Sequence, residues 1–280
     1  LAKGDQVPDR ALTRPQAAGG RSSADFVLKL GGSAITHKDV PLSANTSVLK
    51  GVADELLQLQ RRYEPPRIVI VYGGGSFGHP AARKYLSDGA ITDPRGCAEV
   101  RAAMLSLAGI ITEIFLDRGL PIFVINPSSS LVLRDGEIDP EASFLLPVDR
   151  CLGAGLMPAL GGDVVLDSVR GARILSGDRI ARLLARRLGA RLLFGTDVDG
   201  VLLGGSVIRR IDPADLPSLS RGVGGREGDV TGGMAGKLDE IRRFLSEGGA
   251  GAAIFNITVP GNLTKVISGK EIECTYIGTV

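Results

Sequence analysis

The chain has 280 residues, a length for one large domain or two small ones and enough to bury a sizeable core. Its 33 Lys and Arg against 31 Asp and Glu leave a formal net charge of +2, and tryptophan is absent, so the basic footprint and aromatic platform of a nucleic-acid binder are both missing. With 44% apolar and 23% charged residues the composition is that of a folded globular protein, and no apolar run nears the ~20 residues of a membrane span.

Residues 1–24 carry Pro, Gly, Arg, Gln and Ser without an apolar block, and are expected to be a flexible leader that lacks the pattern of a secretory signal. An apolar run at 25–30 reads as a strand stopped by Gly31-Gly32-Ser33. It precedes a helix at 43–63, with Val48, Val52, Leu56 and Leu59 on one face and Asn45 or Ser47 as its cap. A strand at 67–72 ends in the densest glycine cluster of the chain, residues 73–79. Helical spacing at 97–117 leads into a strand at 122–125, then a helix is predicted at 141–152 and a strand at 157–160. Residues 163–166 and 173–175 fit a hairpin. Helices at 178–188 and 233–246 alternate with strands at 191–194, 252–256 and 272–277. The alternation predicts an α/β chain with one continuous, mainly parallel sheet and helices on both faces. Cys97, Cys151 and Cys274 are widely spaced and odd in number, which predicts free thiols in a reducing cytoplasm.

Glycine turns after parallel strands let backbone N–H groups approach a phosphate chain, and the following helix N-terminus adds partial positive charge. Lys29-Leu-Gly-Gly-Ser33 puts a lysine immediately before such a turn, and Lys38 follows nine residues later, so two cations could flank one phosphate chain. In Gly73-Gly-Gly-Ser-Phe-Gly-His79, the glycines at 73, 75 and 78 have dinucleotide-fingerprint spacing. The strand ending in an acid that this fingerprint needs some twenty residues later is missing, which argues against a dehydrogenase. His79 at the lip of that loop could donate to a phosphate oxygen, whereas His37 is given no role. In Ser176-Gly-Asp178, Asp178 could either cap the next helix or hold two lysines in place. Thr196-Asp-Val-Asp-Gly200 and Asp229-Val-Thr-Gly-Gly-Met234, with Lys237 at a helix start, suit ATP phosphates. No Gly-x-x-x-x-Gly-Lys-Ser/Thr loop or protein-kinase catalytic loop is present.

Taken together, these five motifs resemble the amino acid kinase superfamily and, within it, the isopentenyl phosphate kinases, over residues 25–280. The resemblance implies an open three-layer αβα sandwich, usually a homodimer, that phosphorylates isopentenyl phosphate to isopentenyl diphosphate with ATP and Mg2+. By motif match it assigns catalysis to Lys29, Lys38, His79, Asp178 and Lys237. ATP would lie against Lys29, Gly31, Gly32, Ser33, Gly75, Asp197, Gly233 and Lys237, and the acceptor against Gly74, Gly78, His79 and Gly177. No protein ligand to a metal is assigned. Residues 25–175 would form the acceptor-binding part and 176–280 the nucleotide-binding part of one domain. Two helices, the one after His79 and the one carrying Met104, Leu107 and Ile111, are expected walls for the acceptor's hydrocarbon tail. Tyr72 departs from the family, which often has a histidine there. A related branch acts on the phosphonate fosfomycin, so a phosphonate or amino-acid carboxylate kinase is the alternative, along with a non-catalytic nucleotide-binding protein of the same fold.

Overall fold

The computed structural model describes residues 23–141, 143, 145–222 and 233–278. The leader up to residue 22 and residues 229–232 of the last glycine motif lie outside the described residues.

β1 (Phe26–Leu30) leads through the short α1 (Gly32–Ile35) to α2 (Thr46–Gln60), where the Asn45 side chain accepts from the Val48 amide and caps the first turn. β2 (Ile68–Tyr72) is followed by α3 (Gly75–Tyr85) and α4 (Pro94–Leu116), the latter capped by Asp93 with Pro94 in its first turn. Next come β3 (Ile122–Val124), α5 (Pro127–Ser130) and a small hairpin, β4 (Leu133–Arg134) with β5 (Glu137–Ile138). α6 (Leu146–Gly153) and β6 (Met157–Gly161) precede the hairpin of β7 (Asp163–Leu166) and β8 (Ala172–Leu175). α7 (Gly177–Leu188) and β9 (Arg191–Thr196) lead to a hairpin of β10 (Leu202–Leu203) and β11 (Ser206–Val207), then β12 (Arg210–Ile211) and α8 (Leu216–Gly222). α9 (Gly233–Ser246), β13 (Ala252–Asn256), α10 (Asn262–Ile267) and β14 (Cys274–Ile277) complete the described chain.

Eight strands form one sheet in the order β12-β14-β13-β9-β1-β2-β6-β3, parallel throughout except where β13 meets β14. β1, β2 and β6 are buried along their whole length, as strands covered on both faces must be. The two-residue period divides their side chains between two cores. Phe26, Leu28 and Leu30 pack with Leu49, Leu56, Leu107 and Ile111 of α2 and α4, while Val27, Val69 and Val71 pack with Ile180, Leu184, Leu238 and Ile241 of α7 and α9. Lys29 shares the Val27 face, so β1 directs its one charged side chain toward the α7 and α9 layer.

Two elements differ from the sequence reading for identifiable reasons. α6 begins at Leu146 because Pro147, which lacks an N–H, suits a first helical turn and opposes its extension upstream to 141. α3 begins at Gly75, before His79, so the imidazole stands on a helix instead of a loop. Pro80 is tolerated within α3 because the Ser76 carbonyl, four residues earlier, accepts from the Leu42 amide at 3.1 Å. Sequence reading also missed α10 and the β10–β11 hairpin.

Candidate active site

β1 is flanked by β2 on one side and β9 on the other, so strand order reverses there and a crevice opens at the strands' carboxyl ends. The turn after β1 packs backbone to backbone on the turn after β2. A Cβ on Gly32 would lie 2.5 Å from the Gly75 nitrogen, and one on Gly73 would lie 2.8 Å from the Gly32 nitrogen, so only glycine allows the two loops to meet. Gly75 itself adopts φ +46° against the Thr36 side chain. Gly74 at the N-cap of α3 has no side chain to offer, and Thr36 Oγ1 instead accepts from the first-turn amide of Ser76 at 3.0 Å.

Into this crevice project two lysine clusters. Asp178, in the first turn of α7, forms an ion pair with Lys29 Nζ at 2.6 Å through one oxygen and accepts from Lys237 Nζ at 2.9 Å through the other. The three side chains are buried, and the Lys237 ammonium also stands 4.7 Å over the Phe194 ring. Burial opposes ionisation of Asp178, but the charges and hydrogen bonds of Lys237 and Lys29 outweigh it and hold the carboxyl well below the ordinary range. Two ammonium groups against one carboxylate leave excess positive charge facing the cleft. The Ser176 side chain accepts from the Arg179 amide and caps α7, which leaves Asp178 to the lysines. In the second cluster, Asp197 after β9 accepts from Lys38 Nζ at 2.6 Å and from Ser33 Oγ at 2.7 Å. Burial resists charge at Asp197 as well, yet the bonds from Lys38 and Ser33 lower its pKa.

The residues assigned from the sequence to catalysis, ATP and the acceptor all line one cavity of about 570 Å³: Lys29, Gly31, Gly32, Ser33, Lys38, Gly74, Gly75, Gly78, His79, Gly177, Asp178, Asp197, Gly233 and Lys237. That size suits a small-molecule site. The apolar wall is made by Ala82, Val100, Met104 and Ile174. Met104 joins it as expected, but Leu107 and Ile111 are fully enclosed in the core on the sheet side of α4 and do not reach the cavity. Tyr72 is likewise packed in that core and absent from the lining.

Sequence reading overlooked Asp163 and Phe194. Asp163 lines the cavity and is buried, with Arg101 Nη1 and the Ser128 amide each 3.1 Å from the same oxygen. Burial pushes its pKa up, against the lowering influence of Arg101 and Ser128. The pair Gly161-Gly162 before it, at the end of an apolar strand, was the available signal, because Gly162 lies against the Gly177 backbone as the other turns lie against each other. Phe194 carried no such signal.

The amino acid kinase family model matches residues 26–256. The isopentenyl phosphate kinase of Methanocaldococcus jannaschii is 36% identical over 262 residues, covering 90% of this chain and 97% of that protein. That of Methanothermobacter thermautotrophicus is 34% identical, with 90% and 98% covered. Solved X-ray structures of isopentenyl phosphate kinase superpose with a TM-score of 0.75 at 29% identity, covering 90% of this chain and 99% of theirs.

Proposed function

The chain belongs to the amino acid kinase family, and we infer that it works there as an isopentenyl phosphate kinase, moving the γ-phosphoryl group of ATP onto isopentenyl phosphate to give isopentenyl diphosphate and ADP. The observation that carries this reading is the Asp178 carboxylate spanning Lys29 and Lys237 in a cavity that His79, two glycine turns and an apolar wall also line.

A phosphate-monoester oxygen of the acceptor attacks the γ-phosphorus, the bond from γ-phosphorus to the β,γ-bridging oxygen breaks, and ADP leaves. The attacking group is already an anion, so no general base is needed, and rate comes from positioning and charge neutralisation. Lys29 and Lys237 neutralise the oxygens of the transferring group, and Asp178 fixes the distance between the two ammonium groups. Lys38, aligned by Asp197, covers the same phosphates, with Gly31, Gly32, Ser33, Gly75 and Gly233 on the nucleotide side. His79, Gly74, Gly78 and Gly177 hold the acceptor phosphate, and Met104, Val100 and Ile174 face its hydrocarbon tail. The acceptor lies mainly against residues 25–175, and the nucleotide reaches from the turns after β1 and β2 across to residues 176–280.

Magnesium fits this site as a passenger of the nucleotide. The cavity carboxylates Asp163, Asp178 and Asp197 are each engaged by protein cations, and the described residues hold no group of three His, Cys, Asp or Glu placed to bind a metal. Bound to ATP, the ion would neutralise phosphate charge, and its ligands would be phosphate oxygens and water. A cytoplasmic homodimer completes the reading. Among the described residues no helix is long and apolar enough to cross a membrane.

The test is an ADP-release assay over an acceptor panel, with the phosphorylated product identified by phosphorus NMR. Isopentenyl phosphate is expected to give the diphosphate, with a phosphonate such as fosfomycin and N-acetylglutamate turned over poorly. Turnover of the phosphonate or the carboxylate with no phosphate monoester accepted would overturn the assignment.

A further inference from the structure

Lys237 is delivered to the cleft by α9, and α9 is tied to α7 beyond the cleft by a second charged lattice. Arg182, one turn after Asp178 on α7, is 5% exposed. Its Nε donates to Glu240 at 2.6 Å and its Nη1 donates to Glu247 at 2.6 Å. Glu240 lies one turn after Lys237 on α9 and Glu247 follows the last residue of that helix, so the two segments present opposite charge orders to each other: acid then base along α7, base then acids along α9 and its exit.

This order specifies one register. Sliding α9 by one turn in one direction brings Glu240 toward Asp178, and sliding it the other way brings Lys237 toward Arg182. Each slip sets like charges together in a buried interface, where repulsion is weakly screened. The Arg182 fork engages both carboxylates at once, which a single ammonium cannot do with the same directional constraint.

We propose that Arg182, through Glu240 and Glu247, is a positioning residue for phosphoryl transfer, setting the height of α9 so that Lys237 meets Asp178 and the transferring phosphoryl group. The inference rests on the kinase reading above and adds a residue that does not touch the cleft. Arg182→Met keeps the bulk of the stem and removes the fork. Held well below its melting temperature, the folded variant is expected to lose turnover on the order of 10²-fold in kcat, the scale of an ångström-sized misplacement, with little change in acceptor KM. Its crystal structure is expected to show Lys237 Nζ withdrawn from Asp178. Should Arg182→Met fail to fold, Glu240→Gln, which leaves Arg182 its bond to Glu247, is read the same way with a smaller loss expected.

A merely structural role would lower Tm and leave kcat per folded molecule unchanged. Folded variants with wild-type kcat and an intact Lys237–Asp178 contact would overturn the proposal. If the wild-type protein itself does not turn over isopentenyl phosphate, the acceptor assignment fails, and the crystallographic comparison alone decides the role of Arg182.

Discussion

A carboxylate enclosed between two ammonium groups, as Asp178 is between Lys29 and Lys237, keeps them apart without cancelling both charges. The arrangement lets β1 and α9 each bring a cation to the same point before any phosphate arrives. His79 lines the same cavity from the second turn of α3, one helical turn after Gly75. On the proposed reading its replacement by alanine removes a donor to the acceptor phosphate and leaves the lysines and the glycine turn of β1 untouched. His79→Ala is therefore expected to abolish measurable turnover of isopentenyl phosphate while ATP binding by calorimetry stays close to wild type. Undiminished turnover would remove the imidazole from the acceptor site.

The hairpins and helices around the cleft are joined by another carboxylate. Asp167 accepts from the amides of Asp135, Gly136, Val169 and Arg170 and lies 3.0 Å from Arg173 Nε, locking the β4–β5 hairpin onto the β7–β8 hairpin. Arg179 of α7 donates to the Gly136 carbonyl at 2.7 Å and so extends the tie toward Asp178. Burial works against charge at Asp167, but the backbone N–H groups prevail and lower its pKa from 3.8 to about 2. A value depressed on folding stabilises the native state fully above the unfolded value, and that contribution is lost as pH falls through the folded one. Asp167→Asn is expected to lower Tm at neutral pH and to flatten the fall in Tm between pH 4 and the lower limit near 2. An unchanged acid limb in thermal melts would show that the hairpin junction does not depend on this charge.

Across the whole molecule, ligand binding is linked to folding because the cleft gathers the ends of β1, β2 and β9, the hearts of both cores, with α3, α7 and α9. A nucleotide that binds only the folded chain, supplied at about 100 times its Kd, adds ~2.7 kcal/mol of stability. For a chain of this length that corresponds to a rise in Tm of about 5 °C by calorimetry. The same concentration of ATP is expected to raise the Tm of Lys29→Met much less, since that variant keeps the glycine turns but lacks one of the cations proposed to hold the phosphates. Equal shifts in the two proteins would place the nucleotide elsewhere.

Strands, the long helices and most of the site could be read from residue order alone, because apolar periodicity, proline position and glycine clusters act over a few neighbours. The turns at 31–33, 73–78 and 176–178 announce themselves in this way, and so do Lys29, Lys38, His79 and Lys237 beside them. What needed the folded chain was every relation between distant side chains. Asp178 and Lys237 are 59 positions apart and Ser33 and Asp197 are 164 apart, and no local rule chooses between Asp178 as a helix cap and Asp178 as a bridge. Periodicity put Met104, Leu107 and Ile111 on one apolar stripe, but only the packing of α4 against the sheet and α3 turned the first toward the cavity and the others into the core. Phe194 and the Arg182 lattice were invisible for the same reason, since their meaning comes from which helix or strand lies opposite, and strand order and helix register are settled by burial summed over the whole sheet.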